Sequence, residues 1–325
     1  MNEELLNILR SVVANATPLV IASLGETITE RAGVVNLSLD GSIILSAMVG
    51  FVAALASNSP LVGILVAMLA GMIIALIIAV ADIELKQDQI AIGFILTLLA
   101  TDLATFAGQD YTRIPGPQIL TTPLPVLKDV PVIGPIFFNQ SILTYISYLL
   151  VFGVWFWLFR TRPGLAHRSV GERPETAFAR GAKVNRLRYI YTAAGGALVG
   201  LAGAAYSLSV KPGWATPPNM QGDGWIALAI VIFGGWHPFR VVLGAYLFAG
   251  LRALSSAIQR SPDIQIPIVL LNAVPWLLMI FTLLLVSSGG IDRLVRVLPR
   301  PVQKWTRNFL RSDPPAALGT RFEPD

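Results

Sequence analysis

The stretch Gly25–Gly41 (GETITERAGVVNLSLDG) sets Glu26, Glu30, Asp40, Arg31 and Asn36 among apolar residues and three glycines. Ionisable groups packed this closely beside apolar runs are costly unless they are paired or wet. Two chemistries fit. Gly33 and Gly41 permit helix breaks and close backbone approach. The amide and carbonyl groups freed at such breaks can hold or gate a polar solute. Alternatively the stretch is a connecting loop in which Asp40 caps the next helix. Bond-making chemistry has little support. There are no cysteines and only two histidines, His167 and His237, which excludes thiolate chemistry and leaves no spaced metal ligands. Neither a Gly-x-x-x-x-Gly-Lys-[Ser/Thr] phosphate loop nor a Gly-x-Ser-x-Gly elbow occurs. The chain itself is therefore expected to be no enzyme and to bind neither ATP nor a metal.

A second constellation is Gly171–Gly181 (GERPETAFARG). Pro174 suits a first helical position, Glu175 and Arg180 complement the two ends of the dipole, and Gly181 can end the turn in a left-handed conformation. Ala177 and Phe178 give it an apolar side. The expectation is a two-turn amphipathic helix, too short to stand alone and needing a surface to dock on. Asn185 can cap the helix that follows.

Gln89, Gly93, Thr97, Thr101 and Thr105 recur every fourth residue. Each step drifts by about 40° on an α-helix, giving a slanted polar stripe. It could present hydroxyls to a solute, or it could serve helix packing. Asn272, close to Pro275, is a further candidate for the path. Gly196, Gly200 and Ala204 form a small-residue ridge suited to close helix contact. Asp102 and Arg252 fall near the ends of apolar runs and read as interfacial.

The elements that must position these groups are membrane helices. Hydrophobic residues make up 54% of 325 and charged residues 13%, about half the ~25% of a soluble domain. Apolar runs fall at 5–24, 38–57, 60–82, 88–108, 142–160, 189–210, 222–236, 239–258 and 267–287. The fold expected is all-α, a polytopic transmembrane bundle of nine or ten spans that includes short or broken helices. Span 222–236 is short and ends at Gly234–Gly235, as a half helix would. The count becomes ten if 25–37 enters the membrane by itself.

The net charge of +5 is unevenly placed. Segment 160–188 carries +6 and segment 289–325 carries +3, while the rest carries −4. Basic residues beside apolar spans point to the cytoplasm rather than to nucleic acid. The transmembrane domain is thus expected at 1–290, with 160–188 as a cytoplasmic loop and 291–325 as a basic cytoplasmic tail. The Pro-rich segment 109–141 is an extracytoplasmic loop, either a connector or a cover for a pore or partner. Trp155, Trp157, Trp214, Trp225 and Trp236 fall near span ends, as in an interfacial belt.

The two motifs carry a resemblance. Glu30-Arg-Ala-Gly-Val-Val-Asn36-Leu37 resembles a block near the start of the nucleoside-type branch of ABC-importer permeases, the family serving simple sugars, branched-chain amino acids and nucleosides. Glu175-x-Ala177-x-x-x-Gly181 resembles the permease coupling motif, and Ala227–Gly234 a later block. Ser38, Asp40, Thr97 and Thr176 depart from the pattern. The resemblance implies coupling to an ATPase through Glu175, Ala177, Phe178, Arg180 and Gly181. It implies ATP and Mg on that separate ATPase, a second and related permease chain, an extracytoplasmic substrate-binding protein, and a bacterial inner membrane. Glu26, Glu30, Asn36, Asp40, Gln89, Thr97, Thr101 and Asn272 are then candidates for the path or its gate. The competing class is an ion-coupled transporter using Asp40, Asp102 or Glu26.

Overall fold

The computed structural model describes residues 3–260 and 313–323, with isolated positions between 267 and 299. The helices are α1 (Glu3–Arg31), α2 (Leu39–Ser57), α3 (Pro60–Ile83), α4 (Gln89–Ala107), α5 (Ile133–Phe137), α6 (Ile142–Arg160), α7 (Arg162–Glu172), α8 (Pro174–Ala179), α9 (Val184–Ala205), α10 (Asp223–Phe233) and α11 (Pro238–Arg260). No strand occurs among the described residues. Seven of these helices are long and apolar enough to cross a membrane, and α10 is a shorter apolar helix. Of the nine expected spans, eight coincide with helices; 267–287, with Asn272 and Pro275, lies largely outside the described residues.

Local chemistry explains the helix ends. Asn58 turns left-handed (φ 52°) after α2, and Pro60 opens α3. Asp88 caps α4 by accepting from the Ala91 amide, and Thr161 caps α7 by accepting from the Gly164 amide. Residues 25–31 are neither a separate half helix nor a loop: they continue α1 without a break. Asn185 does not cap α9; it lies inside it, after Lys183.

α9 is the hub, packed on α1, α2 and α3. The ridge is what lets α3 approach it. A Cβ on Gly71 would fall 2.3 Å from the Gly196 carbonyl, and one on Gly200 would fall 2.1 Å from the Ala67 carbonyl. Backbone therefore meets backbone where side chains would hold the helices apart. Ala204 is fully buried in the core beside Ala47 and Ile43. α4 is peripheral, with Phe94, Leu98, Leu99 and Phe106 exposed.

The depth of the elements follows from their neighbours. The Val35 amide meets Gln89, Leu37 meets Gly93 and Thr97, and Gly41 packs on the Thr97 backbone. The first turn of α2 is thus level with a point eight residues into α4, about 12 Å along it. α10 begins against that same turn of α2 and is followed by Trp236 against the last turn of α1. Its eleven residues span about 16 Å, half of a ~30 Å hydrocarbon layer. The loop before α10 therefore dips into the bundle. Segment 109–141 is organised rather than slack: the Ile119 amide donates to Leu208 and the Arg113 amide to Trp214.

Candidate functional site

Residues 32–38 leave the helix, so their backbone groups need side-chain partners. The polar residues of the neighbouring helices supply them. Glu26 Oε1 accepts from the Asn36 amide at 3.1 Å, and Gln89 Oε1 from the Val35 amide at 2.7 Å. Asn36 Oδ1 accepts from the Ser38 amide at 3.1 Å and from its hydroxyl at 2.6 Å. Thr97 Oγ1 donates to the Leu37 carbonyl at 2.7 Å. Glu26, Glu30, Asn36, Asp40, Gln89 and Thr97 are all buried. The stripe on α4 is thus the face that grips this segment. Thr101, further along, is half-buried and accepts at its carbonyl from the Thr105 hydroxyl at 2.8 Å.

The last turn of α1 holds Trp236 from two sides. The indole N–H donates to Glu30, and the Arg31 guanidinium donates to the Trp236 carbonyl at 3.3 Å. Trp236 has φ 53°, an uncommon conformation for a bulky residue. These two bonds help to hold it. Arg31 also lies 3.7 Å from Glu172 at the end of α7. Trp236 and Trp214 are 3% exposed, so they are interior residues rather than members of an interfacial belt.

Asp40 does not cap its own helix, whose N-cap is Ser38. Its carboxylate instead crosses to the start of α10 and accepts from the Gly222 amide at 2.9 and 3.1 Å and from the Gly224 amide at 2.9 Å. Those donors have no partner within α10, and negative charge is favoured at that helix end. Gly222 supplies φ 92° for the turn. Beside it, buried Asp223 accepts from the Tyr206 hydroxyl and pairs with Arg252 of α11. Arg252 is therefore half of a partly buried ion pair. Asp102 is exposed on α4.

At the end of the bundle carrying 160–188, α7 and α8 form a helical step. α8 starts at Pro174 and is closed by Gly181 (φ 87°). The Gly181 amide donates to Phe178 at 2.8 Å and the Ala182 amide to Ala177 at 3.0 Å, the double bond that terminates a helix on a left-handed glycine. Ala177 is buried against Val170 and Val184, while Glu175, Phe178, Arg180 and Gly181 are exposed. A groove of about 490 Å³ runs between the two helices, flanked by Arg162, Arg173 and Arg180. On its far side His167 donates through Nε2 to the Ile28 carbonyl at 2.9 Å. Burial pushes its pKa down to about 3, helped by Arg31 and Arg168 and opposed by that hydrogen bond.

The structure thus gathers Glu26, Asn36, Gln89 and Thr97 around one segment and brings Glu30 to Trp236. It sets Asp40 on α10 and leaves the α8 residues apart on the surface. Sequence reasoning passed over Trp236, Asp223, Tyr206 and Arg252 as a set; only the short apolar run of α10 hinted that its ends needed partners. Among the described residues, no three His, Cys, Asp or Glu side chains are arranged to hold a metal.

A sequence profile described as "Branched-chain amino acid transport system / permease component" matches residues 8–286. A putative glucose ABC transporter permease protein of Haloferax volcanii is 40% identical over 251 residues, 76% of this chain and 76% of its own. A guanosine ABC transporter permease protein of Bacillus subtilis is 36% identical over 303 residues, 88% of this chain and 92% of its own. A nucleoside ABC transporter permease protein of Lactococcus lactis is 33% identical over 301 residues, 88% of this chain and 95% of its own. No solved structure matches the chain. A helical bundle with seven membrane-competent helices among its described residues, matched to one profile over most of its length, is a multi-pass membrane protein that belongs to the branched-chain amino acid transport system permease family.

Proposed function

We propose that this chain is the permease subunit of an ABC importer for nucleosides or related small polar solutes. The observation that carries the coupling half of this reading is α8, a helix whose fold is closed by Gly181 while Glu175, Phe178 and Arg180 face outward. Such a step offers a handle for a separate ATPase, which would bind and hydrolyse ATP with Mg. The +6 of segment 160–188 supports placing α8, and with it the C-terminus, on the cytoplasmic side of a bacterial inner membrane. A second permease chain and an extracytoplasmic substrate-binding protein complete the assembly.

Force applied at α8 has a route inward. α7 ends at Glu172, which pairs with Arg31; Arg31 and Glu30 hold Trp236, at the end of α10. At its other end α10 is held by Asp40. Glu26, Glu30, Asn36, Asp40, Gln89 and Thr97 are engaged within the chain, which supports a role in framing a gate. Opening would exchange these internal bonds for water or for solute.

Two relatives named for guanosine and nucleoside transport align over 88% of the chain and favour a nucleoside cargo. The relative named for glucose is 40% identical and supports a sugar as the second reading. Uptake of labelled guanosine, uridine and glucose into membrane vesicles holding the assembled transporter separates them. Guanosine or uridine uptake that needs internal ATP and survives collapse of the proton gradient is expected. Uptake that persists without ATP and dies with the gradient would sink the ABC reading. ATP-driven glucose uptake with no nucleoside uptake would establish the sugar alternative.

A further inference from the structure

Segment 313–323 is not a loose end. It lies across the face of the bundle that carries α7 and α8 and bonds to several of its elements. The Ala317 amide donates to the Gly171 carbonyl at 2.9 Å, the Ala316 amide to Glu172 at 3.3 Å, and the Gly319 amide to the Gly33 carbonyl at 3.0 Å. Gly33, with φ 91°, is the turn that ends α1 and opens the gate-framing segment. A Cβ there would stand 3.2 Å from the Ala317 carbonyl.

The strongest sign that the segment is seated is Arg188. Its side chain is 1% exposed and lies 3.8 Å from Asp82, beyond hydrogen-bond range. At 3.0 Å the Thr320 carbonyl is the acceptor that it does reach. A buried guanidinium without acceptors is costly, so this carbonyl answers a need set by α9. The Lys86–Glu323 pair at 2.7 Å is exposed and adds little. Between them Phe322 packs on Phe178, the exposed aromatic of α8, with ring centroids 5.6 Å apart.

We propose that segment 313–323 is a strap that joins α8 and the Gly33 turn into one mechanical unit. Phe322 forms, with Phe178, the apolar part of the surface that receives the ATPase subunit. The occupant follows from continuity: Phe322 extends the same exposed face that α8 presents. The strap also answers a physical problem, because six residues of helix cannot transmit a displacement unless something ties them to the bundle. This inference rests on the coupling role of α8.

The test uses the assembled transporter in membrane vesicles, reading solute uptake, ATP hydrolysis and retention of the ATPase on the permease. Phe322→Ala, at a half-buried surface position, is expected to leave insertion intact and to raise ATP hydrolysed per solute moved by about threefold. Phe322→Tyr is expected to restore the ratio. Phe178→Ala combined with Phe322→Ala should cost less than the sum of the two single variants, since the two rings pack on each other in one surface. Deletion of residues 313–325 should uncouple more strongly. An unchanged ratio in Phe322→Ala overturns the proposal, including the case in which the deletion merely prevents insertion, because the segment would then be structural only. If Phe178→Asp also leaves ATP-driven uptake and ATPase retention untouched, the coupling role of α8 itself fails. If Phe178→Asp abolishes them while Phe322→Ala is silent, the strap alone fails.

Discussion

The Asp223–Arg252 pair makes an asymmetric prediction. Asp223 has a side chain 2% exposed and sits at the start of a half helix; its partner Arg252 is 35% exposed. Replacing Arg252 by Met strands a buried carboxylate whose other side-chain partner among the described residues is the Tyr206 hydroxyl. Breaking a fully buried pair typically costs ~3–5 kcal/mol. The Arg252 side chain is 35% exposed rather than fully buried, so roughly 2–3 kcal/mol is the reasonable scale here. Asp223→Asn should cost less, about 1 kcal/mol, because the amide keeps a hydrogen bond and the freed guanidinium turns to solvent. Joining Asp223→Asn to Arg252→Met removes both charges, and stability should recover most of what Arg252→Met lost.

The assay is reversible unfolding in mixed detergent, with uptake measured in parallel on vesicles matched for permease content. Uptake should follow the same order, because α10 loses the tie to α11 at its N-terminal end. Two results would refute the reasoning. One is Asp223→Asn proving worse than Arg252→Met. The other is a double variant as unstable as Arg252→Met, which would mean that the guanidinium acts by packing rather than by neutralising Asp223.

Other perturbations test separate links. Asp40→Ala removes the acceptor for two buried amides and should cost about 2–6 kcal/mol, at the usual ~1–3 kcal/mol per stranded group; Asp40→Asn should cost less than half of that. Equal unfolding midpoints for the two variants would contradict the capping role. Gly181 has open space around it but φ 87°, so Gly181→Ala should strain the turn by about 1–2 kcal/mol, and Gly181→Asn should be milder. Uptake and ATPase retention should fall in that order without loss of insertion. Gly200→Ala would drive a Cβ into the Ala67 carbonyl and should cost about 1–3 kcal/mol, read as a lower midpoint. His167 stays neutral in the fold down to about pH 3 while an unfolded histidine takes up a proton below 6.5. Its contribution is therefore complete above pH 6.5 and declines as pH falls, by roughly 2 kcal/mol at pH 5. The unfolding midpoint should drop between pH 7 and 5, with a shallower slope in His167→Asn.

What could be read from the sequence was what is decided locally. Pro174 and Gly181 each meet a requirement set within a few residues, and α8 falls between them. The short run before Gly234–Gly235 announced a half helix for the same reason. Residues 25–31 stayed ambiguous because helix propensity does not tell the end of a long helix from an independent half helix. Only the neighbours of Glu26 and Glu30 decide it. Asp40 followed the local rule for a cap, yet its donors are more than 180 residues away. Arg252 sat near the end of an apolar run, and nothing in that run names Asp223 as its partner.

These long-range pairs share a cause. In a chain with 13% charged residues, an idle carboxylate inside an apolar bundle is costly. Glu26, Asp40 and Asp223 find amides or a cation where the fold exposes them, and folds expose amides at broken elements. The bundle breaks at residues 32–38 and at Gly222. Glu26 serves the first break and Asp40 the second, while Asp223 at the second break takes Arg252. Irregular backbone and membrane acids are thus mutually required. Removing an acid should destabilise its break more than any neighbouring helix. Hydrogen exchange on Asp40→Ala should therefore show protection lost first at Gly222 and Gly224, with α3 and α9 unchanged.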